Sequence, residues 1–365
     1  MLISRFKRMS QILKIRLLLI NIRNDIIFFI AANKVDFLRD LYWSILFFLK
    51  NIRYELNNYS KDAILISSEK GIIKADLSGK CKKLTYGYTF GIAIFKKRIY
   101  ISISSSNNSK VLGIDFHNKW KVRTSILFKQ ASKYHNEKIH QIFATSRCLY
   151  IANTARNSLV VIKGLEEREL TNKIELLPFS DFLGNPICKD HNHINSVYPI
   201  NEGILFCAHN RGKKGSYIGL IEKSTCKIYK YKNPGIHDII PTSKGIIISD
   251  SFGSLDLHNT NIRSGGIYLN GQFQSTDCHF SRGIYLGSNF NIIGSSFHGK
   301  RDERFFGKGE IKVYDKKFKE VKKINCISSQ IHDIIGLTGS RNEEELDSIK
   351  LNIKNIENDL NKSFG

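Results

Sequence analysis

One phrase recurs with histidine at a constant place: Ile139-His140-Gln141-Ile142, His237-Asp238-Ile239-Ile240 and Ile331-His332-Asp333-Ile334. Neutral imidazole is the commonest side-chain ligand of zinc, iron and manganese, and it also serves as a base near neutral pH. Brought to one point by a fold, His140, His237 and His332 would suit a divalent metal. A further polar phrase, Lys189-Asp190-His191-Asn192-His193-Ile194-Asn195-Ser196, is the densest in the chain. In an extended segment, alternation puts His191, His193 and Asn195 on one side, with Cys188 nearby, although the spacing matches no standard zinc signature. Arg282, in Ser281-Arg282-Gly283-Ile284, points to other chemistry. A fixed cation repels a metal, but it holds a carboxylate, phosphate or sulfate through paired hydrogen bonds. Asp238 and Asp333 each follow a histidine by one residue, so strand alternation turns them to the opposite face, behind any site. The basic loop Ala208-His209-Asn210-Arg211-Gly212-Lys213-Lys214-Gly215 lacks the spacing of a phosphate-binding P-loop. No G-x-S-x-G elbow and no Cys–His nucleophile pair accompanies these residues.

The elements that must position them are strands. From Asp62 onward, runs of four to six residues rich in Ile, Val and Tyr alternate with Gly, Asn and Ser. Aligned on the histidine phrase, the chain has six anchors: Phe90, His140, Asn195, His237, Arg282 and His332. They lie about 50 residues apart, the period of four-stranded propeller blades. Each anchor opens a strand, and a second strand follows with a polar end, as at Ser102, Asn153-Thr154, His209-Asn210, Asp250-Ser251 and Ser295-Ser296. The last anchor runs out of blade, and the missing strands stand at the other end, as Ala63–Ser67 and Gly71–Asp76. The fold expected over residues 62–339 is therefore an all-β, six-bladed β-propeller closed by strands from both ends of the chain, which leaves no open sheet edge. Because inner strands begin at the central channel, the anchors and the polar strand ends converge on one mouth. Its expected residues are His140, Asn153, His193, Asn195, His237, Asp250, Arg282 and His332.

Helical extensions flank this domain. Residues 1–61 are Leu-, Ile- and Phe-rich with frequent Lys and Arg, and Phe37, Leu41, Ile45 and Phe48 follow helical spacing. Their uncharged runs are too short to span a bilayer, and no cleavage-site pattern follows them. A cap on the main domain is the reading, with a basic helix lying on an anionic membrane as its rival. In residues 340–365, Leu346, Ile349, Ile353, Ile356 and Leu360 form one helical stripe, expected to pack against the N-terminal helices or to serve dimerisation. The net charge of +23 favours polyanions, yet no nucleic-acid-binding motif appears. Seven cysteines without a C-x-x-C pair argue for a reducing, cytoplasmic setting over a disulfide framework.

Several of these phrases resemble an uncharacterised bacterial propeller-like family of conserved hypothetical proteins. They are His140-Gln141-Ile142, Tyr150-Ile151-Ala152-Asn153-Thr154, Asp190–Ser196, His237, Ser249-Asp250-Ser251-Phe252-Gly253 and Phe280-Ser281-Arg282-Gly283-Ile284. The resemblance implies a fold and a pocket and no reaction. In general architecture the chain is also similar to gluconolactonase and strictosidine-synthase propellers, whose acidic metal ligands do not align here. The expected function is binding of a small polar or anionic ligand, such as a sugar derivative, at the mouth. Metal- or histidine-assisted hydrolase or lyase chemistry would be its catalytic form. The alternative is a non-catalytic scaffold whose basic faces hold an acidic partner or a membrane surface.

Overall fold

The computed structural model describes residues 63–341, apart from connecting segments of which 116–120, 130–138, 166–171, 210–214, 252–264 and 298–306 are the longest, and residues 353–364. The N-terminal extension lies outside the described residues. The expectations for Leu346 and Ile349 and for the basic stretch 211–214 lie outside them too.

Six four-stranded antiparallel sheets form the blades. Blade one holds Thr89–Phe95, Arg98–Ser104, Asn108–Asp115 and Lys121–Lys129, from the axis outward. Blade two holds Ile142–Ala144, Cys148–Asn153, Ser158–Lys163 and Asn172–Leu176. Blade three follows with Ile194–Ile200, Gly203–Ala208, Ser216–Glu222 and Thr225–Tyr231, and blade four with Ile236–Thr242, Gly245–Asp250, Gly265–Leu269 and Gln272–Cys278. Blade five is Phe280–Leu286, Asn291–Ser296, Glu310–Tyr314 and Glu320–Asn325. In blade six, Ile331–Gly336 is the inner strand and pairs with Ile64–Ser68, followed by Gly71–Ala75 and Cys81–Lys83. The two ends of the chain thus close the ring, as the missing strands of the last repeat required.

The inner strands are rich in Ile, Val and Leu because each is covered on both faces by its neighbours. Ile194–Ile200 and Ile236–Thr242 are buried over almost their whole length. The polar ends of the second strands are accounted for by links between blades. Ser67 Oγ donates to Phe90 O (2.5 Å), Ser102 Oγ to His140 O (3.4 Å) and Thr154 Oγ1 to Ile194 O (2.5 Å). Ser251 Oγ donates to Ser281 O (2.5 Å) and Ser296 Oγ to Ile331 O (3.0 Å). Blade three has Ala208 and His209 in that place, and its link to blade four comes from Asn195 Nδ2, which donates to Ile236 O at 2.8 Å. Each such bond contributes only about 1 kcal/mol, but the acceptors are buried carbonyls that would otherwise be unsatisfied.

The C-terminal helix α1, Ile353–Phe364, packs against blades three and four. Ile356 and Leu360 are buried, and the Phe364 ring meets Tyr231 and Tyr268 at 5.6 and 5.5 Å. Lys227 pairs with Glu357 across the contact. Ile356 and Leu360 of the apolar stripe thus pack on the propeller wall, while the expected contact with the N-terminal helices lies outside the described residues. No helix among the described residues is long and apolar enough to cross a membrane.

Candidate functional site at the axial mouth

In five inner strands the pairing with the second strand slips at or beside the anchor, so that His332, Phe90-Gly91, Asn195, His237 and Gly283 occupy β-bulges. A bulge inserts an extra residue, breaks the two-residue alternation and re-aims side chains. Backbone crowding sets the residue type at two of them. A Cβ on Gly91 would sit 2.4 Å from His140 O, and Gly283, at φ +72°, lies against the Ile334 backbone. Glycine alone fits both positions without strain.

The re-aimed side chains form a circuit of rings that visits every blade. Tyr88 and Phe90 flank His332 at centroid distances of 5.1 and 4.6 Å, and Phe90 in turn meets His140 at 4.6 Å. His140 meets His193 at 4.9 Å, His193 meets His209 at 4.0 Å, and His209 meets His237 at 5.2 Å. His237 then meets Phe280 at 5.3 Å, and the Arg282 guanidinium lies 4.7 Å from the Phe280 centroid. Five of the eight expected mouth residues are in this circuit: His140, His193, His237, Arg282 and His332. Asn195 is engaged in the link between blades. Asp250 accepts hydrogen bonds from Tyr231 Oη (2.8 Å) and Asn233 Nδ2 (2.7 Å), and Asn153 is buried where blade two's second strand ends. His209, Phe280 and Tyr88 were not anticipated. His209 was visible as the one imidazole among the polar strand ends; Phe280 carries no polar signal, and Tyr88 precedes its anchor by two residues.

The phrase around His193 is not extended as alternation required. Residues 190–192 form bends, His191 is exposed, and His193 adopts the left-handed region at φ +59°. Such a conformation is unfavourable for histidine and persists only where its surroundings impose it. Here Asn192 N donates to Asn157 Oδ1, Asn157 Nδ2 donates to Asn192 Oδ1, and Asp190 takes the His193 Nδ1 proton bond at 3.0 Å. His191, His193 and Asn195 therefore do not share a face, and Cys188 is exposed to solvent.

Four imidazoles are anchored in one tautomer. His332 Nδ1 is 2.6 Å from Thr89 O and His237 Nδ1 is 2.9 Å from Gly235 O; a carbonyl only accepts, so both Nδ1 atoms carry the proton. Ser251 and Thr154 spend their hydroxyl protons on Ser281 O and Ile194 O, so their oxygens accept from His237 Nδ1 (2.6 Å) and His140 Nδ1 (2.7 Å). The Asp190 carboxylate accepts from His193 in the same way. In a neutral imidazole bonded through Nδ1, as at His237, Nε2 is the lone-pair acceptor. The His237 ring is 7% exposed, and its Nε2 is buried with no hydrogen-bond partner among the described residues. Burial, then the charge of Arg282 and the nearby His209 and His140, hold its pKa well below the usual imidazole value. The anchoring through Nδ1 is what a metal-ligating histidine needs. However, Phe90 lies between His332 and His140, and among the described residues no group of three or more His, Cys, Asp or Glu could hold a metal ion.

Behind the circuit lies a buried polar layer made by the residues that follow the three repeated histidines. Gln141 Nε2 donates to Asp238 Oδ1 (2.6 Å) and Asp333 Oδ1 (3.5 Å). Each of the three then accepts an amide from the next blade: Gln141 from Val197 (3.0 Å), Asp238 from Gly283 (2.7 Å) and Asp333 from Ile92 (3.3 Å). Arg341 completes the layer. Its Nη2 donates to Asp333 Oδ2 (2.5 Å), Ile142 O (2.9 Å) and Ile92 O (3.1 Å). With two carboxylates and one guanidinium in this layer, burial and the neighbouring Asp333 charge push Asp238 up to about 7. Asp238 and Asp333 do lie away from the mouth circuit, and they bind blade to blade across the axis.

Against known proteins, the sequence matches no family model and no curated protein. The fold is similar to that in the crystal structure of the nidogen–laminin complex, with a TM-score of 0.52, 11% identity, and coverage of 75% of this chain and 97% of that one. Hydrazine synthase of Kuenenia stuttgartiensis (TM-score 0.46, 10% identity, 75% and 89% covered) and a Lactobacillus plantarum protein (0.42, 10%, 73% and 82%) are more distant. What the chain shares is the propeller. At such identities the likeness carries no residue of the mouth with it.

Proposed function

We propose that the axial mouth binds a small polar ligand that brings hydroxyl donors to the imidazole arc and an anionic group to Arg282. The observation that carries this reading is His237 Nε2, an acceptor shut away from solvent with no hydrogen-bond partner among the described residues. An unpaired buried acceptor costs about 1–3 kcal/mol, and a ligand hydroxyl would remove that cost. The rings of Phe90 and Phe280 supply the apolar surface against which the C–H side of such a molecule rests. A sugar acid has this combination of groups. The reading is of a binding site, and no bond-breaking step is assigned to it.

Thermal denaturation of the full chain with gluconate, glucose and sulfate, at a pH where His237 is neutral, tests it. Gluconate is expected to raise Tm in a dose-dependent manner, as binding to the folded state alone must. His237→Ala and Arg282→Gln should each abolish that rise. A panel that leaves Tm unmoved, or a rise that survives both substitutions, refutes the mouth as the binding site.

A further inference from the structure

Between the outer strand of blade two and the inner strand of blade three, residues 177–187 form a tightly built loop. Asp181 accepts from the amides of Leu183 and Asn185, both at 2.9 Å, and from Asn185 Nδ2 at 3.3 Å. Asp181 N donates to Asn185 O (2.8 Å), Gly184 N to Asp181 O (3.0 Å) and Ile187 N to Phe179 O (2.9 Å). Gly184 takes a positive φ of +82° at the turn. Phe179 fastens the base of the loop through ring contacts with Phe206 and Tyr217.

Every interaction that shapes this loop comes from backbone, Asp181, Asn185 or the base. The side chains of Phe182 and Leu183 contribute none, yet they stand at its tip with 94% and 70% of the residues' surfaces exposed. Among the described residues, the other exposed large hydrophobics reach at most 52%. Two adjacent apolar side chains on an ordered, projecting turn form a wedge whose burial in an apolar medium removes their surface from water. The chain carries a net charge of +23, complementary to an anionic lipid surface. The acid of the turn faces inward onto its own amides. Strand alternation also fixes the side on which the tip projects. The outer strand of a blade runs back toward the end where the inner strands begin, which is the mouth face.

We infer that the protein docks on anionic membranes by inserting Phe182 and Leu183 into the bilayer, mouth face toward the lipid. The inference does not depend on the ligand proposed for the mouth. The test uses the full chain carrying Phe182→Trp, vesicles with and without phosphatidylserine, and brominated acyl chains as quenchers. The unsubstituted chain supplies the background from Trp43 and Trp120. Quenching beyond that background is expected in phosphatidylserine vesicles and not in neutral ones. The pair Phe182→Asp and Leu183→Asp should lower vesicle partitioning at least about tenfold without changing Tm, because both residues are exposed. Absence of vesicle binding overturns the inference. So does binding without excess quenching, or partitioning indifferent to the paired substitution, since either would mean that charge or another segment makes the contact. A tip shielded instead by a stoichiometric protein partner also overturns it.

Discussion

His237 and Asp238 are neighbours in the chain with opposite electrostatic histories. Burial beside Arg282 favours neutral imidazole, so the unfolded state binds the His237 proton more readily than the folded state. Stability from this group is therefore complete above about 6.5 and is lost as pH falls below it. Asp238 is raised to about 7 by burial and the Asp333 charge, so here the folded state holds the proton more tightly. Its contribution is complete below about 4 and is lost as pH rises toward 7. Melting temperature followed from about pH 4.5 to 8.5 separates the two, each group weighing at most about 1.4 kcal/mol per pH unit. His237→Gln is expected to flatten the acid-side decline, and Asp238→Asn to flatten the decline between pH 5 and 7. The slopes carry the result, since either substitution also shifts the absolute Tm. Unchanged slopes would mean that neither group titrates with folding.

At the scale of the strand, the recurring unit is an inner strand bulged at its anchor and a second strand whose last hydroxyl reaches the next blade. Ser251 shows both parts, accepting from His237 Nδ1 while donating to Ser281 O. Ser251→Ala strands a buried carbonyl and should lower the unfolding free energy by about 1–3 kcal/mol. Ser251→Thr should stay near the parent value, because Thr154 performs the same two tasks in blade two. Urea denaturation of the pair distinguishes loss of the hydroxyl from loss of packing. The unit also explains what could be read in advance. The repeat of anchor, strand, turn and polar exit was legible because it is written in residue type. The bulge was not, since it depends on which second-strand residue faces which inner-strand residue. Alternation counted along one strand consequently put His191 on one face with His193, whereas residues 190–192 form bends and His191 is exposed.

For the molecule as a whole, ring closure rests on two devices. One is the strand pairing that joins Ile331–Gly336 to Ile64–Ser68. The other is Arg341, which reaches blades one, two and six from beyond the last strand. Removing one partner of a buried ion pair costs about 3–5 kcal/mol, because the other charge is left uncompensated. Arg341→Met should produce a loss of that order in urea denaturation, and adding Asp333→Asn should recover much of it. An additive double substitution would show that the two residues do not act as a pair.

The amino-acid sequence by itself determined the number of blades, the closure by both chain ends and the recurrence of histidine at one strand position. These follow from hydrophobic patterning and repeat period, which are local properties of the chain. Only the tertiary structure decided what the histidines face. Bulges placed His237 and His332 in a run of ring contacts that also takes in His140, with Phe90 between His332 and His140, and His209 and Phe280 entered from separate strands. The tautomers were settled by carbonyls and hydroxyls up to 243 residues away in the chain. Likewise, Arg341 was one basic residue before a helix until packing placed it across the axis. Side-chain roles of this kind depend on distances between blades, and those distances do not exist until the ring has closed.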